Sequence, residues 1–120
     1  MALASASAAL PAAVAGEPTT PNTYTQWEFQ GYDKTGNDGK KFSLSGKGSG
    51  CKNFPNNVYS YNWVPGQVEH EKKKYSCSFK LYKEKDCKGG ELYNGPSEAK
   101  HGDFSKDEQK AWSIKVEFPY

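Results

Sequence analysis

The chain reads as an all-β protein, a two-layer β-sandwich assembled from two copies of one folded unit. Three observations predict this. The first is a doubled pattern: Tyr32 to Gly39 runs Tyr-x-x-x-x-Asn-x-Gly, and Tyr82 to Gly89 runs Tyr-x-x-x-x-Cys-x-Gly. Tyr32 and Tyr82 are offset by 50 residues, as are Gly39 and Gly89, and a Ser-centred apolar segment follows each, with Ser60 and Ser113 offset by 53. A period of this size marks a repeated supersecondary unit. The second is alternation of apolar and polar residues, which gives a strand one buried and one wet face. The third is punctuation: 12 Gly, 7 Pro and 14% aromatic residues break the chain into short runs, with few helix signals.

Residues 1–15 read as a signal peptide or its remnant. Met1 to Val14 are nearly all Ala, Ser, Leu or Pro, and Ala13-Val14-Ala15 is the small-x-small pattern of a cleavage site, although no Lys or Arg stands at the front. Residues 16–23 form a flexible polar lead-in stiffened by proline. The domain is expected over 24–120, with repeats at about 24–68 and 75–118. Strands are expected at Tyr24–Tyr32, Lys40–Leu44, Val58–Val64, Tyr75–Tyr82, Glu91–Tyr93 and Trp112–Phe118. In Tyr75–Tyr82, residues 75, 77, 79 and 81 share the inner face. In the last strand Trp112, Ile114, Val116 and Phe118 do so. Ser105 with Glu108 three positions later is a capping box that starts a single helical turn. No stretch approaches the ~20 apolar residues that a membrane-crossing helix needs.

A domain of this size gains from cross-links. Cys51, Cys77 and Cys87 supply one disulfide and one odd thiol, either buried or bridging to another chain. The pairing stays open among the three; Cys77–Cys87 closes the shortest loop and is the pairing favoured. All 16 basic residues are lysine, against 14 carboxylates, for a net charge of +2. Lysine lacks the planar fork that favours Arg for phosphate or guanine, so no nucleic-acid partner is expected. The one basic run, Lys72-Lys73-Lys74, reads as a solvated connector between the repeats.

The Tyr-x-x-x-x-aromatic-x-Gly turn, followed by a strand, a loop and a Ser-bearing last strand, resembles the βγ-crystallin Greek-key motif. Cys77 to Gly89 is the strongest match, and the resemblance spans about Tyr24 to Phe118. Asn37 and Cys87 stand where that family carries an aromatic residue. With its leader and sparse cysteines, the chain also resembles small secreted crystallin-like proteins of fungi. The resemblance implies two Greek-key motifs forming one domain. Gly39 and Gly89 fit a fold-over that needs positive φ or close backbone approach.

The same resemblance implies a calcium site. Asn56-Asn57-Val58-Tyr59-Ser60-Tyr61 matches five of the six positions of the family's Asn/Asp-Asn/Asp-x-x-Ser/Thr-Ser motif. Asn57 and Ser60 would give side-chain oxygens, and the turn around Lys85 and Asp86 a backbone carbonyl. Lys110 spoils the second copy. The competing reading makes Asn56-Asn57 a turn after Pro55, with Ser60 bonding backbone. No other cofactor is expected.

An enzyme is not expected. His70 and His101 lie in polar stretches, and no nucleophile elbow, apolar-set carboxylate or phosphate-binding glycine loop appears. Tyr59, Tyr61 and Trp63 alternate with Ser60, Asn62 and Val64, so they either pack inward or form a stacking surface for sugars or a protein partner. The expected function is that of a secreted, extracellular, non-catalytic protein acting by surface contact with a host, a competitor or the cell wall. A calcium-stabilised structural module and a wall-polysaccharide binder are the alternatives.

Overall fold

The computed structural model describes residues 22–120, and antiparallel pairing accounts for all of its sheets. Eleven strands run in chain order: β1 Thr23–Tyr24, β2 Gln26–Lys34, β3 Asp38–Lys47, β4 Gly50–Asn53, β5 Ser60–Val64, β6 Gln67–His70, β7 Lys73–Ser76, β8 Ser78–Glu84, β9 Lys88–Asn94, β10 Lys100–Asp103 and β11 Ser113–Glu117. Two short 3₁₀ turns, Lys85–Cys87 and Glu108–Lys110, complete the described elements. The expected all-β class is therefore observed. Among the described residues no helix is long and apolar enough to cross a membrane.

The strands form three sheets, ordered β10-β5-β2-β3, β4-β11-β8-β9 and β1-β6-β7. The two four-stranded sheets exchange a strand. The first is made of β2, β3 and β5 from one half of the chain and takes β10 from the other. The second is made of β8, β9 and β11 and takes β4 from the first half. Neither half can close its sheet alone, which ties the two copies into one cooperative unit.

Alternation decides which side chains meet between the sheets. Trp27, Phe29, Tyr61 and Trp63 face inward from the first sheet, and Phe79, Leu81, Ile114 and Val116 from the second, all at most 2% exposed. Their rings interlock: Phe79 lies 5.7 Å from Phe29 edge-on and 4.8 Å from Trp63, and Tyr61 stacks on Phe104 at 4.4 Å. Rings at such centroid distances add to the hydrophobic gain of burial. Cys77 lies in the same core, as its inward register requires.

The fold-over turns are alike in both halves. Asn37 (φ 54°) and Gly39 (φ 80°) match Cys87 (φ 56°) and Gly89 (φ 83°). A Cβ on Gly39 would run into the Asp33 carboxylate, and one on Gly89 into the Glu84 side chain, so glycine is required for space as well as for φ.

Several expectations need correction. The run Tyr24–Tyr32 is two strands, because Thr25 leaves the register to donate its N–H to Gln67 O. Tyr75–Tyr82 likewise breaks at Cys77, whose N–H turns to Gly66 O. Strands β4, β6 and β10 were not foreseen. Their sequences, Gly-Cys-Lys-Asn, Gln-Val-Glu-His and Lys-His-Gly-Asp, carry almost no alternation, and pairing with neighbours makes them strands. Lys72-Lys73-Lys74 is exposed, as a solvated connector requires, but it is ordered: β6 and β7 form a hairpin whose two-residue turn is Glu71-Lys72, with φ 51° and 66°.

Trp112 and Phe118, expected in the core, are only half-buried. The Trp112 backbone is clamped just before β11, donating to Tyr82 O and accepting from Phe54 N, so its ring precedes the Ile114–Val116 row. Phe118 lies past β11 and meets Tyr24 edge-on at 5.1 Å beside the small sheet. The leader at 1–15 and most of the lead-in at 16–23 fall outside the described residues. Thr23 is not lead-in but pairs with Glu69.

Candidate functional site

Each fold-over turn is latched by one buried serine. Ser60 donates its hydroxyl to Lys34 O at 2.6 Å and accepts the Asn37 N–H at 2.9 Å. Ser113 does the same in the other half, donating to Glu84 O at 2.5 Å and accepting the Cys87 N–H at 2.9 Å. Both serines are fully buried. A second latch comes from the exchanged strand. Asp103 of β10 accepts the Gly36 N–H at 2.7 Å, and Asn53 of β4 accepts the Asp86 N–H at 2.7 Å.

These bonds place the three residues of the calcium expectation. Ser60 is committed to backbone on both sides. Asn57 donates its amide to Gln109 O at 3.0 Å, and Asp86 accepts from the Asn53 amide at 3.1 Å. Ser60 bonds the turn of its own half, and Asp86 lies in the other half's turn, from which the expectation takes a backbone carbonyl. Among the described residues no three His, Cys, Asp or Glu groups converge to hold a metal.

The disulfide joins Cys51 and Cys87, with the Cα atoms 6.2 Å apart, and Cys77 is free. The favoured Cys77–Cys87 pairing is thus corrected. Cys77 points into the core from the break between β7 and β8, where it accepts the Gly66 N–H at 3.2 Å, while Cys87 sits in the turn beside the exchanged strand β4. Loop length misleads here, because the pairing is set by which strand crosses over. Burial pushes the Cys77 thiol up to about 11.

The aromatic expectation divides. Tyr61 and Trp63 are 2% and 0% exposed, so neither can stack on a partner, and Trp63 donates its indole N–H to Pro96 O at 3.1 Å. Only Tyr59 reaches solvent, at 37%. Burial, then hydrogen bonding with Tyr93, raises the Tyr61 phenol above its ordinary range.

The two outer faces differ in chemistry on the same frame. On the second sheet, Lys80 reaches Glu117 at 3.3 Å and Glu91 at 3.9 Å, and Lys115 reaches Glu117 at 3.6 Å. The hydrogen bond and charge of Glu117 raise the Lys80 pKa, with Glu91 adding to it. On the first sheet an amide relay takes their place: Asn62 donates to Gln30 at 3.3 Å, and Gln30 donates to Glu28 at 3.5 Å.

The small sheet carries an aromatic cap built on the C-terminal Tyr120. Tyr120 stacks on His70 at 3.8 Å and lies 5.0 Å from Tyr75, while Tyr24 donates its hydroxyl to Tyr120 O at 2.7 Å. Hydrogen bonding with Tyr120 raises the Tyr75 pKa. The exchanged strands had a signal that was available: the offset of 50 also relates Asn53 to Asp103 and Cys51 to His101. No protein-family model, curated protein or solved structure matches the chain.

Proposed function

We propose that this is a βγ-crystallin-like domain of two Greek-key motifs, exported from the cell, that works without catalysis by presenting a rigid surface to a host, a competitor or a wall component. The observation that carries this reading is the Cys51–Cys87 bridge, which fastens the exchanged strand β4 to the fold-over turn of the other half. A bridge of this kind persists in oxidising compartments and is rare in a reducing cytosol. The strand exchange and the paired serine latches support the family likeness. Among the described residues the buried polar side chains, Ser60 and Ser113, are both spent on backbone, which favours a structural rather than a catalytic use of the interior.

The test is intact-mass and peptide mapping of protein recovered from the culture medium. The expected result is cleavage after Ala15 and a Cys51–Cys87 linked peptide with Cys77 unmodified. Protein retained in the cell with Cys51 and Cys87 as free thiols would overturn the reading.

A further inference from the structure

The duplication supplies an internal control for reading the surface. Equivalent positions on the two outer faces carry Lys80 and Gln30 in the middle strand, and Lys115 and Asn62 in the next. Glu117 and Val64 also correspond. The second sheet's charges close on one another in the ion pairs described above. In the first sheet the same frame presents amides, hydroxyls and an apolar side chain. Gln30 faces Ser43 on one side and Asn62 on the other, and Asn62 faces His101, so one polar row crosses all four strands. With strands about 4.8 Å apart, that row is roughly 14 Å long.

The relay fixes the amides without exhausting them. Asn62 gives one N–H to Gln30, and Gln30 gives one to Glu28, so each retains a second N–H, and Asn62 retains its carbonyl. Ser43 and Ser45 are exposed beside them, and Val64, 45% exposed, lies directly opposite Glu28. Amides and hydroxyls both donate and accept, as sugar hydroxyls do, and Val64 offers apolar contact for ring C–H groups. Lys47 ends edge strand β3 and Lys41 stands one pleat repeat from Ser43, opposite Tyr32, so the row itself carries no lysine and little of the cationic chemistry that nucleic acid or an anionic membrane requires.

We infer that the outer face of the β10-β5-β2-β3 sheet binds a neutral polysaccharide of wall type, laid along His101, Asn62, Gln30 and Ser43. This rests on the contact role proposed above and assigns its surface and ligand class. The match is one of charge: a neutral chain leaves no buried unpaired ion on a face whose central carboxylate, Glu28, already accepts a hydrogen bond.

The test uses the full chain on insoluble chitin and β-glucan, with a sulfated polysaccharide resin for comparison. Retention on a neutral polymer is expected, and it should be insensitive to salt. Gln30→Lys and Asn62→Lys import the chemistry of the other face and should weaken retention about ten-fold or more. Ser43→Glu, at an exposed position, provides a variant that leaves the packing alone and should weaken it similarly. Lys80→Gln on the second sheet should change retention by less than roughly two-fold. Lack of wild-type retention on both neutral polymers overturns the inference. So does retention abolished by salt, retention unaffected by the three first-sheet variants, or an equal loss in Lys80→Gln. Export and the disulfide are read separately by mass, so an exported, bridged protein that is not retained removes this surface and leaves the contact role standing.

Discussion

Removing the disulfide with Cys51→Ala and Cys87→Ala tests how the two halves are held together. The bridge spans 36 residues of chain. Closing a loop of that length restricts the unfolded ensemble by about 4 kcal/mol at 25 °C in the chain-entropy treatment. In a domain of this size such a loss lowers the melting temperature by roughly 15–20 °C. Urea unfolding followed by the fluorescence of Trp27 and Trp63, both buried, is a suitable assay. Because the effect lies mainly in the unfolded chain, the denaturant slope should rise in the double variant as the freed chain expands. A reductant should bring the wild type to the same midpoint and leave the double variant where it is. A loss below about 1 kcal/mol, or a wild-type midpoint indifferent to reductant, would refute the view that this bridge is a main staple of the domain.

Three further outcomes follow from particular contacts. Ser60→Ala and Ser113→Ala each remove a part-buried bond to a turn carbonyl and another to a turn N–H, so each should cost about 1–3 kcal/mol in denaturant unfolding, and similar losses would reflect the equivalence of the latches. Cys77 should be inert to thiol reagents in the native state near neutral pH. Its folded pKa of about 11 lies above the ordinary thiol value, so its stabilising contribution is full below about 9 and is lost as pH rises through about 11. That loss, up to about 2–3 kcal/mol, should be absent from Cys77→Ala and appear as the difference between the pH titrations of the two proteins. Glu71→Asn with Lys72→Gly places residues suited to positive φ in the β6–β7 turn and should raise stability by about 1 kcal/mol or more in thermal unfolding.

The sequence made the interior legible wherever two or more apolar residues alternate. Phe79 and Leu81, and Ile114 and Val116, followed their pleat inward as their spacing requires. The capping box was legible too: Ser105 N–H donates to Glu108 at 2.8 Å, and Glu108 N–H to the Ser105 hydroxyl at 3.3 Å. Strands whose place depends on distant partners were not. Nothing local in Lys100-His101-Gly102-Asp103 marks a strand, because its residues pair with Ser60 to Trp63, far away in the chain. The disulfide was obscured for the same reason, since Cys51 reaches Cys87 only after β4 has crossed to the other sheet. Trp112 failed differently: alternation was extended one residue past the point where the β11 pleat begins.

The duplicated frame also explains why the halves can diverge in role without diverging in fold. Backbone bonds from Ser60 and Ser113 and glycines at positive φ define each fold-over, so outer-face side chains are free to differ. At the position where Cys51 meets Cys87 in one half, the other half has His101 and Asn37, with no covalent tie. The bridge and the Lys80–Glu117–Lys115 ion pairs thus gather on the second sheet. Exposed ion pairs of this sort contribute little stability individually, so what they chiefly change is the surface presented to a partner: charges already matched to one another have less to offer an incoming ligand. The amide row of the first sheet keeps donors and acceptors to spare on a backbone held by the same latches. Rigidity is therefore shared through the exchanged strands, while the capacity for neutral hydrogen bonding is concentrated on one side. For the contact role proposed above, that asymmetry is the feature most capable of giving selectivity.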